Sequence, residues 1–133
     1  MSGFRPGEAA LVYLLRHERL QAAKVGVCNM GTGRISRHLR RGWQLHATLA
    51  FEAGRDALRL EREVLAEWRA QDLEPVRDGG RSYDGWTETA SLSSAMTVEV
   101  LWSGVLQLGN LVAEAADRGG ASPAPDTRPD DLA

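Results

Sequence analysis

The sequence predicts an α+β domain in which a small, three-stranded, mainly antiparallel sheet is flanked by helices. Two apolar segments, 9–15 and 22–28, have the composition of strands and are joined by a short polar connection, as in an antiparallel hairpin. A third segment, 43–53, alternates apolar and polar residues, which indicates a strand with one buried face. Residues 54–71 carry apolar side chains at helical spacing. Hairpin strands covered by amphipathic helices form an α+β layer arrangement.

The two hairpin strands differ in their internal pattern. The first, 9–15, is apolar and carries Val12 and Tyr13, which favour strands. The second, 22–28, is interrupted by Gly26. A glycine inside a strand indicates a bulge or a group that approaches the backbone closely. We therefore expect Gly26 to have a structural role.

A short helix is predicted between the second and third strands. Thr32 is placed to cap it, residues 34–41 form its body, and Gly42 is placed to end it. The third strand then has five apolar residues that we expect on its buried face, namely Trp43, Leu45, Ala47, Leu49 and Phe51.

The remaining segments define the domain boundaries. Residues 1–8 are polar and are predicted to be a flexible lead-in to the domain at 9–90. Within that domain, residues 72–88 are rich in glycine and are predicted to be a loop. Residues 91–118 have a long apolar period and are predicted to be a helical extension that packs on the domain. Residues 119–133 are rich in Pro and acidic residues, which is typical of a disordered tail.

Length and composition exclude several classes of protein. The 133 residues suit one compact unit that buries a core without a disulfide or a structural metal. Cys28 is the only cysteine, so the chain forms no internal disulfide, and a cytoplasmic location is the expectation. No apolar run approaches the roughly 18 residues of a membrane-spanning helix, so no membrane partner is expected.

The net charge of −2 is the sum of two halves of opposite sign. Residues 1–71 contain 12 basic and 7 acidic residues, a balance of +5, whereas residues 72–133 contain 4 basic and 11 acidic residues, a balance of −7. Eleven of the 12 basic residues in the first half are Arg, whose guanidinium group suits bidentate contacts with phosphate. The first half is therefore suited to face a polyanion, and the second half is not.

Several residues with phosphate-binding chemistry are expected on one surface. Tyr13 and Lys24 project from the same side of the predicted hairpin. Arg34 begins the following helix, and His38 lies one turn later on the same face. The helix 54–71 supplies carboxylates that suit a divalent metal, among them Glu61, Glu63 and Glu67.

The order and spacing of these residues resemble the GIY-YIG endonuclease superfamily, in particular a phage-associated branch with a Lys-Ile-Gly-like second motif. Leu11-Val12-Tyr13 stands where the family has Gly-Ile-Tyr, and Lys24-Val25-Gly26 stands where it has Tyr-Ile-Gly. Arg34 lies at the usual distance from that glycine, and His38 matches a histidine of some members. Glu61 falls where the family has its metal-binding glutamate.

The resemblance covers about residues 10–70 and implies a small endonuclease that hydrolyses DNA phosphodiester bonds with one divalent ion, Mg²⁺ or Mn²⁺. It implies a catalytic set in which Glu61 binds the metal, Arg34 holds the scissile phosphate and His38 orients the phosphate or moves a proton. Leu11 and Lys24 depart from the family motifs, and the resemblance leaves open whether Tyr13 or Lys24 supplies the base. We expect further contacts with nucleic acid from three side chains, those of Arg37, Arg41 and Trp86.

Two other functions remain compatible with the sequence. One is a nuclease-derived module that binds nucleic acid or protein and has lost most or all of its hydrolytic activity through the changes at Leu11 and Lys24. The other is a small regulatory or toxin-like protein whose acidic second half contacts another chain. The helix 91–118 is predicted to be a surface for a homodimer or for a protein partner.

Overall fold

The computed structural model describes residues 3–121 and has an α+β architecture. In chain order, the described elements are β1 Ala10–His17, β2 Ala22–Asn29, α1 Arg34–Leu39, β3 Gln44–Phe51, α2 Gly54–Ala70, a 3-10 turn Trp86–Glu88, β4 Thr89–Ser91 and α3 Val98–Ala121. Among these elements, no helix combines the length and hydrophobicity that crossing a membrane requires. Most of the predicted tail at 119–133 lies outside the described residues, and residues 119–121 continue α3.

The described part of the sheet has four antiparallel strands in the order β3-β1-β2-β4, so the prediction of three strands was incomplete. The additional strand, β4, has only three residues and pairs with Ala22–Lys24 of β2. A strand this short shows no alternating pattern in sequence, because the period of two needs several residues to become visible.

The last helix begins later than predicted. Residues 91–118 were expected to be helical, but Ser91 ends β4 and α3 starts at Val98. The hydroxyl oxygen of Thr97 accepts a hydrogen bond of 3.2 Å from the Val100 amide. This contact caps one of the amide groups that have no partner inside the helix, and it explains why the helix starts there.

The short helix α1 is capped differently from the prediction. The Thr32 hydroxyl donates to the Asn29 carbonyl at 3.2 Å, and Gly33 precedes the helix without any side-chain cap, so the predicted cap was wrong. The helix ends at Leu39 rather than at residue 41. Gly42 follows with φ of +93°, the left-handed conformation that commonly ends helices.

The sheet is covered on both faces. On one face, the core contains α2 and α3, which pack against side chains of β1 and β2 such as Val12, Leu14 and Val25. On the other face, a smaller cluster around Tyr13 and Leu15 includes Cys28 and Trp43, with Ile35, Val76 and Tyr83 at its margin. Tyr13 lies opposite Gly26 on this second face, so both residues are on the side of α1.

A bulge in β3 changes which of its side chains are buried. Leu14 lies opposite Ala47 and Leu15 opposite Leu45, so His46 is an extra residue in the strand. Leu45 was expected to be buried but is 45% exposed, because the extra residue reverses the alternation at this end of β3. The His46 ring instead meets Trp102 of α3 edge-on, with ring centroids 6.4 Å apart.

The outer surface of α3 retains exposed apolar side chains. Leu101, Val105 and Val112 are buried in the core, whereas Val100, Leu106 and Leu111 are exposed. A role for this surface of α3 in contacting a homodimer partner or another protein stays a prediction.

We expect the substitution Gly26→Ala to destabilise the protein by roughly 1–3 kcal/mol, the usual cost of overpacking. A Cβ at Gly26 would overlap the Tyr13 ring, whose Cε1 would be only 2.8 Å from it. The matched control is Gly104→Ala in α3, where a Cβ meets nothing within 4 Å. That change is expected to stabilise the helix by about 0.5–1 kcal/mol. Urea denaturation measures both values, and equal effects of the two substitutions would contradict the assigned role of Gly26.

Candidate active site

One edge of the sheet is open beside α2. Because β4 pairs only with Ala22–Lys24, no described strand pairs with this edge of β2 from Val25 to Asn29. A cavity of about 480 Å³, here called the main cavity, lies at this opening. Side chains from both faces of the sheet reach it, since its walls include Val27 and Glu61 as well as Tyr13.

The main cavity brings together residues that are far apart in sequence. All five predicted catalytic residues line it, and so do Gly26 and Arg37. The five residues come from four elements: Tyr13 from β1, Lys24 from β2, Arg34 and His38 from α1, and Glu61 from α2. The structure therefore places a phenol, an amine, a guanidinium, an imidazole and a carboxylate around one space.

Tyr13 forms the floor of the main cavity against Gly26. Tyr13 lies opposite Gly26, and its ring fills the space that a side chain at position 26 would occupy. Only glycine therefore fits at position 26. Tyr13 is 2% exposed, and this burial raises the pKa of its phenol well above the usual range, although the positive charge of Arg34 opposes the shift. The phenol is therefore protonated at neutral pH and can donate a hydrogen bond.

Lys24 links β2 to the loop before β4. Its ammonium donates a 2.8 Å hydrogen bond to the Gly85 carbonyl and lies 3.5 Å from a Glu88 carboxylate oxygen. Burial lowers the pKa of the Lys24 amine, and the charge of Glu88 opposes that shift. Gly85 has φ of +80°, and a Cβ there would overlap the ammonium, so this loop position requires glycine.

His38 faces the same cavity from α1. It is 8% exposed, and its ring centroid lies 5.9 Å from that of Tyr13. Burial lowers the pKa of His38 to about 4, and the positive charges of Lys24 and Arg34 add to the shift. The imidazole is therefore uncharged at neutral pH and has a nitrogen that can accept a proton.

Glu61 brings a carboxylate to the cavity from α2. Burial raises the pKa of Glu61 to about 7, and the negative charge of Glu88 adds to the shift while Arg34 opposes it. Both carboxylates line the main cavity. A divalent cation fits this donor set, because Mg²⁺ and Mn²⁺ prefer carboxylate oxygens and a cation relieves the repulsion between the two groups. Among residues 3–121 no group of three or more His, Cys, Asp and Glu side chains is arranged to hold a metal, so water oxygens would complete the coordination of an ion here.

Some cavity residues carried little signal in the sequence. Phe4 and Leu58 line the main cavity, yet nothing in the sequence distinguishes either residue from other apolar residues. The segment before β4 lines the main cavity with four residues, Asp84, Gly85, Thr87 and Glu88. In the sequence, only the Gly-Trp-Thr-Glu stretch at 85–88 pointed to a role for this segment. That stretch matches an element found in some GIY-YIG proteins only loosely.

Two predicted nucleic-acid contacts do not line the main cavity. Arg41 lines a neighbouring cavity of about 190 Å³, which shares His38 and Asp84 with the main cavity. The Arg77 guanidinium lies over the Trp86 ring, 4.3 Å from its centroid. One face of the ring is therefore already covered by a cation, and a base would have to stack on the other face. Roles of Arg41 and Trp86 in binding nucleic acid stay predictions.

Comparisons of the chain with protein-family models, with curated proteins and with solved structures find no match. The similarity to the GIY-YIG superfamily therefore rests on the order of residues in the sequence. A functional assignment has to be argued from the geometry and charge of the main cavity.

We expect His38 to make folding sensitive to acid. Its pKa is 6.5 in the unfolded chain and about 4 in the folded protein, so between these values the unfolded state binds more protons. The free energy of unfolding therefore falls as the pH drops through this window. From about pH 7 to about pH 5, the unsubstituted protein should lose roughly 1–2 kcal/mol more than His38→Gln. Urea denaturation at the two pH values measures this difference. An equal loss of unfolding free energy in both proteins would contradict the prediction.

Proposed function

We propose that this protein is a small metal-dependent endonuclease of the GIY-YIG type that hydrolyses phosphodiester bonds in DNA. The observation that carries the proposal is the convergence of Tyr13, Arg34 and Glu61 on one cavity open to solvent. These residues lie on three different elements, and the resemblance assigns each of them a role in the same reaction. A core packing role for Tyr13 alone explains neither the guanidinium nor the carboxylate beside it.

Hydrolysis of a phosphodiester needs a fixed cation, a proton acceptor and neutralisation of the developing charge. Arg34 supplies the fixed cation, because its guanidinium is charged at every accessible pH and offers paired donors to phosphate oxygens. The neutral Tyr13 phenol is suited to donate a hydrogen bond that orients the attacking water or the phosphate. In this proposal Arg34 and Tyr13 together position the reacting groups in the main cavity.

His38 is the better candidate for the proton acceptor than Tyr13 or Lys24. The Tyr13 phenol holds its proton because it is buried. The Lys24 ammonium already donates a hydrogen bond to the Gly85 carbonyl and pairs with the Glu88 carboxylate. His38 is uncharged at neutral pH and faces the same space. It can take the proton of the attacking water directly or through one further water.

Glu61 would hold the divalent ion in this proposal, with Glu88 as a second carboxylate in the same cavity. When bound, the ion supplies neutralising charge to the phosphate and to the leaving oxygen. Glu61 also interacts electrostatically with Arg34, whose positive charge opposes the rise in the Glu61 pKa. Removing the Glu61 carboxylate therefore affects both metal affinity and the local field.

An alternative is a binding module that holds nucleic acid without cutting it. The observation that favours it is the position of Lys24, which stands where the family has a tyrosine and whose ammonium is held by Gly85 and Glu88. In that case the main cavity binds a phosphate but lacks the phenol that the resemblance implies at this position.

The nuclease proposal predicts nicking of supercoiled plasmid DNA in Mg²⁺ or Mn²⁺, and no nicking in chelator. Arg34→Ala and Glu61→Gln should each lower the rate by roughly 100-fold or more, the usual effect of removing one group that stabilises transition-state charge. The matched controls are Arg40→Ala, directly after α1, and Glu63→Gln on α2, which change exposed side chains outside the main cavity. These controls should stay within a few-fold of the unsubstituted rate.

Two results would count against the nuclease. Nicking that persists in chelator or in Glu61→Gln would point to a contaminating enzyme or to another site. DNA binding without nicking in any divalent ion would favour the binding module.

A further inference from the structure

A second cavity adjoins the main cavity on the side of the N-terminal segment. It has a volume of about 330 Å³ and is here called the arginine cavity. Three residues, Phe4, Arg34 and Arg37, line both cavities, so the two spaces meet along a common wall. The arginine cavity also includes Arg5, Asn29 and Met30. A ligand in the main cavity that is longer than one phosphodiester can therefore continue across this wall.

The two cavities differ in charge. The main cavity is lined by three basic residues, Lys24, Arg34 and Arg37, and by three acidic residues, Glu61, Asp84 and Glu88. The arginine cavity is lined by three arginines, Arg5, Arg34 and Arg37, and none of its lining residues is Asp or Glu. A phosphate in the main cavity meets carboxylates and needs a cation beside it. The charged residues that line the arginine cavity are all arginines, so a phosphate there needs no added cation.

The arginine cavity has a structured wall on the side of Arg5. Asn29, which is 6% exposed, accepts a 2.7 Å hydrogen bond from the Arg5 amide through Oδ1. Its Nδ2 donates to the Arg5 carbonyl at 3.0 Å and to the Ala9 carbonyl at 3.1 Å. The backbone at Arg5 is thus tied to the end of β2, although residues 1–8 were expected to be flexible.

The Arg5 guanidinium remains accessible to a ligand. Its described charge partner is Glu8 at 3.3 Å, and both side chains are more than half exposed. An exposed pair of this kind contributes at most about 1 kcal/mol, because water screens it. A phosphodiester shares one negative charge between two free oxygens, and it can displace such a contact because both oxygens accept hydrogen bonds from the guanidinium.

We propose that the arginine cavity binds the phosphate next to the scissile one on the same strand, through Arg5 and Arg37. This inference rests on the proposed function, and it specifies the substrate as a polynucleotide strand rather than a mononucleotide or a small phosphodiester. The strand crosses the wall formed by Arg34 and Arg37. The arginine cavity therefore supplies strand affinity without a metal, and the main cavity adds the divalent ion for the reaction.

The test measures binding of a short, fluorescein-labelled single-stranded oligodeoxynucleotide by anisotropy in chelator, across a range of salt concentrations. Arg5→Ala and Arg37→Ala should each weaken binding about 5- to 10-fold at low salt. Each should also reduce the slope of log affinity against log salt by about 0.7, the value for one lost phosphate contact on a single strand. Arg118→Ala, an exposed arginine on α3, is the charge-matched control and should change neither quantity.

The outcomes separate this inference from the proposed function. If Arg5→Ala and Arg37→Ala bind as tightly as Arg118→Ala, with the same salt slope, the phosphate site is overturned, even if the unsubstituted protein nicks plasmid DNA. If both arginine variants bind weakly as expected and the unsubstituted protein nicks no DNA in Mg²⁺ or Mn²⁺, the phosphate site is supported and the nuclease is overturned. Both arginine side chains are exposed, so thermal unfolding should show the variants folded.

Discussion

The contact between the Tyr13 ring and Gly26 is the constraint on which the main cavity depends. Because glycine has no side chain, the ring can lie across β2 and reach the sheet edge that β4 leaves open. Glu61 comes from a helix on the opposite face of the sheet, and it meets Tyr13 only around that edge. A larger residue at position 26 or a longer β4 would separate the phenol from the carboxylate.

Burial of charge is the main energetic cost of this arrangement. Desolvation lowers the pKa of the Lys24 amine and raises that of the Glu61 carboxyl, so by itself it would favour the neutral form of each group. The ion pair of Lys24 with Glu88 and its hydrogen bond to Gly85 offset part of that cost. The structure retains costly polar groups in a cavity where apolar ones would pack more stably, which is typical of functional sites.

The predicted elements that agree with the structure have long, regular patterns. The hairpin and α2 were predicted within about two residues, because their apolar residues repeat often enough to identify the period. The errors occur where one local contact decides the outcome. The bulge at His46 exposes Leu45, and Thr97 caps α3 so that the helix begins only at Val98. Thr32 donates a hydrogen bond to Asn29 instead of capping α1. None of these contacts has a periodic signal in the sequence.

By itself, the sequence determined the order of the three longer strands and the helices, the close approach at Gly26 and the set of residues with phosphate chemistry, because each follows from residue type and spacing. Only the tertiary structure decided which of those residues share a cavity. It brought in Phe4, Asp84 and Gly85, left Arg41 and Trp86 outside, and added the arginine cavity beside it. It also decided the protonation of Tyr13, His38 and Glu61, since pKa values depend on burial and on neighbouring charges that are distant along the chain.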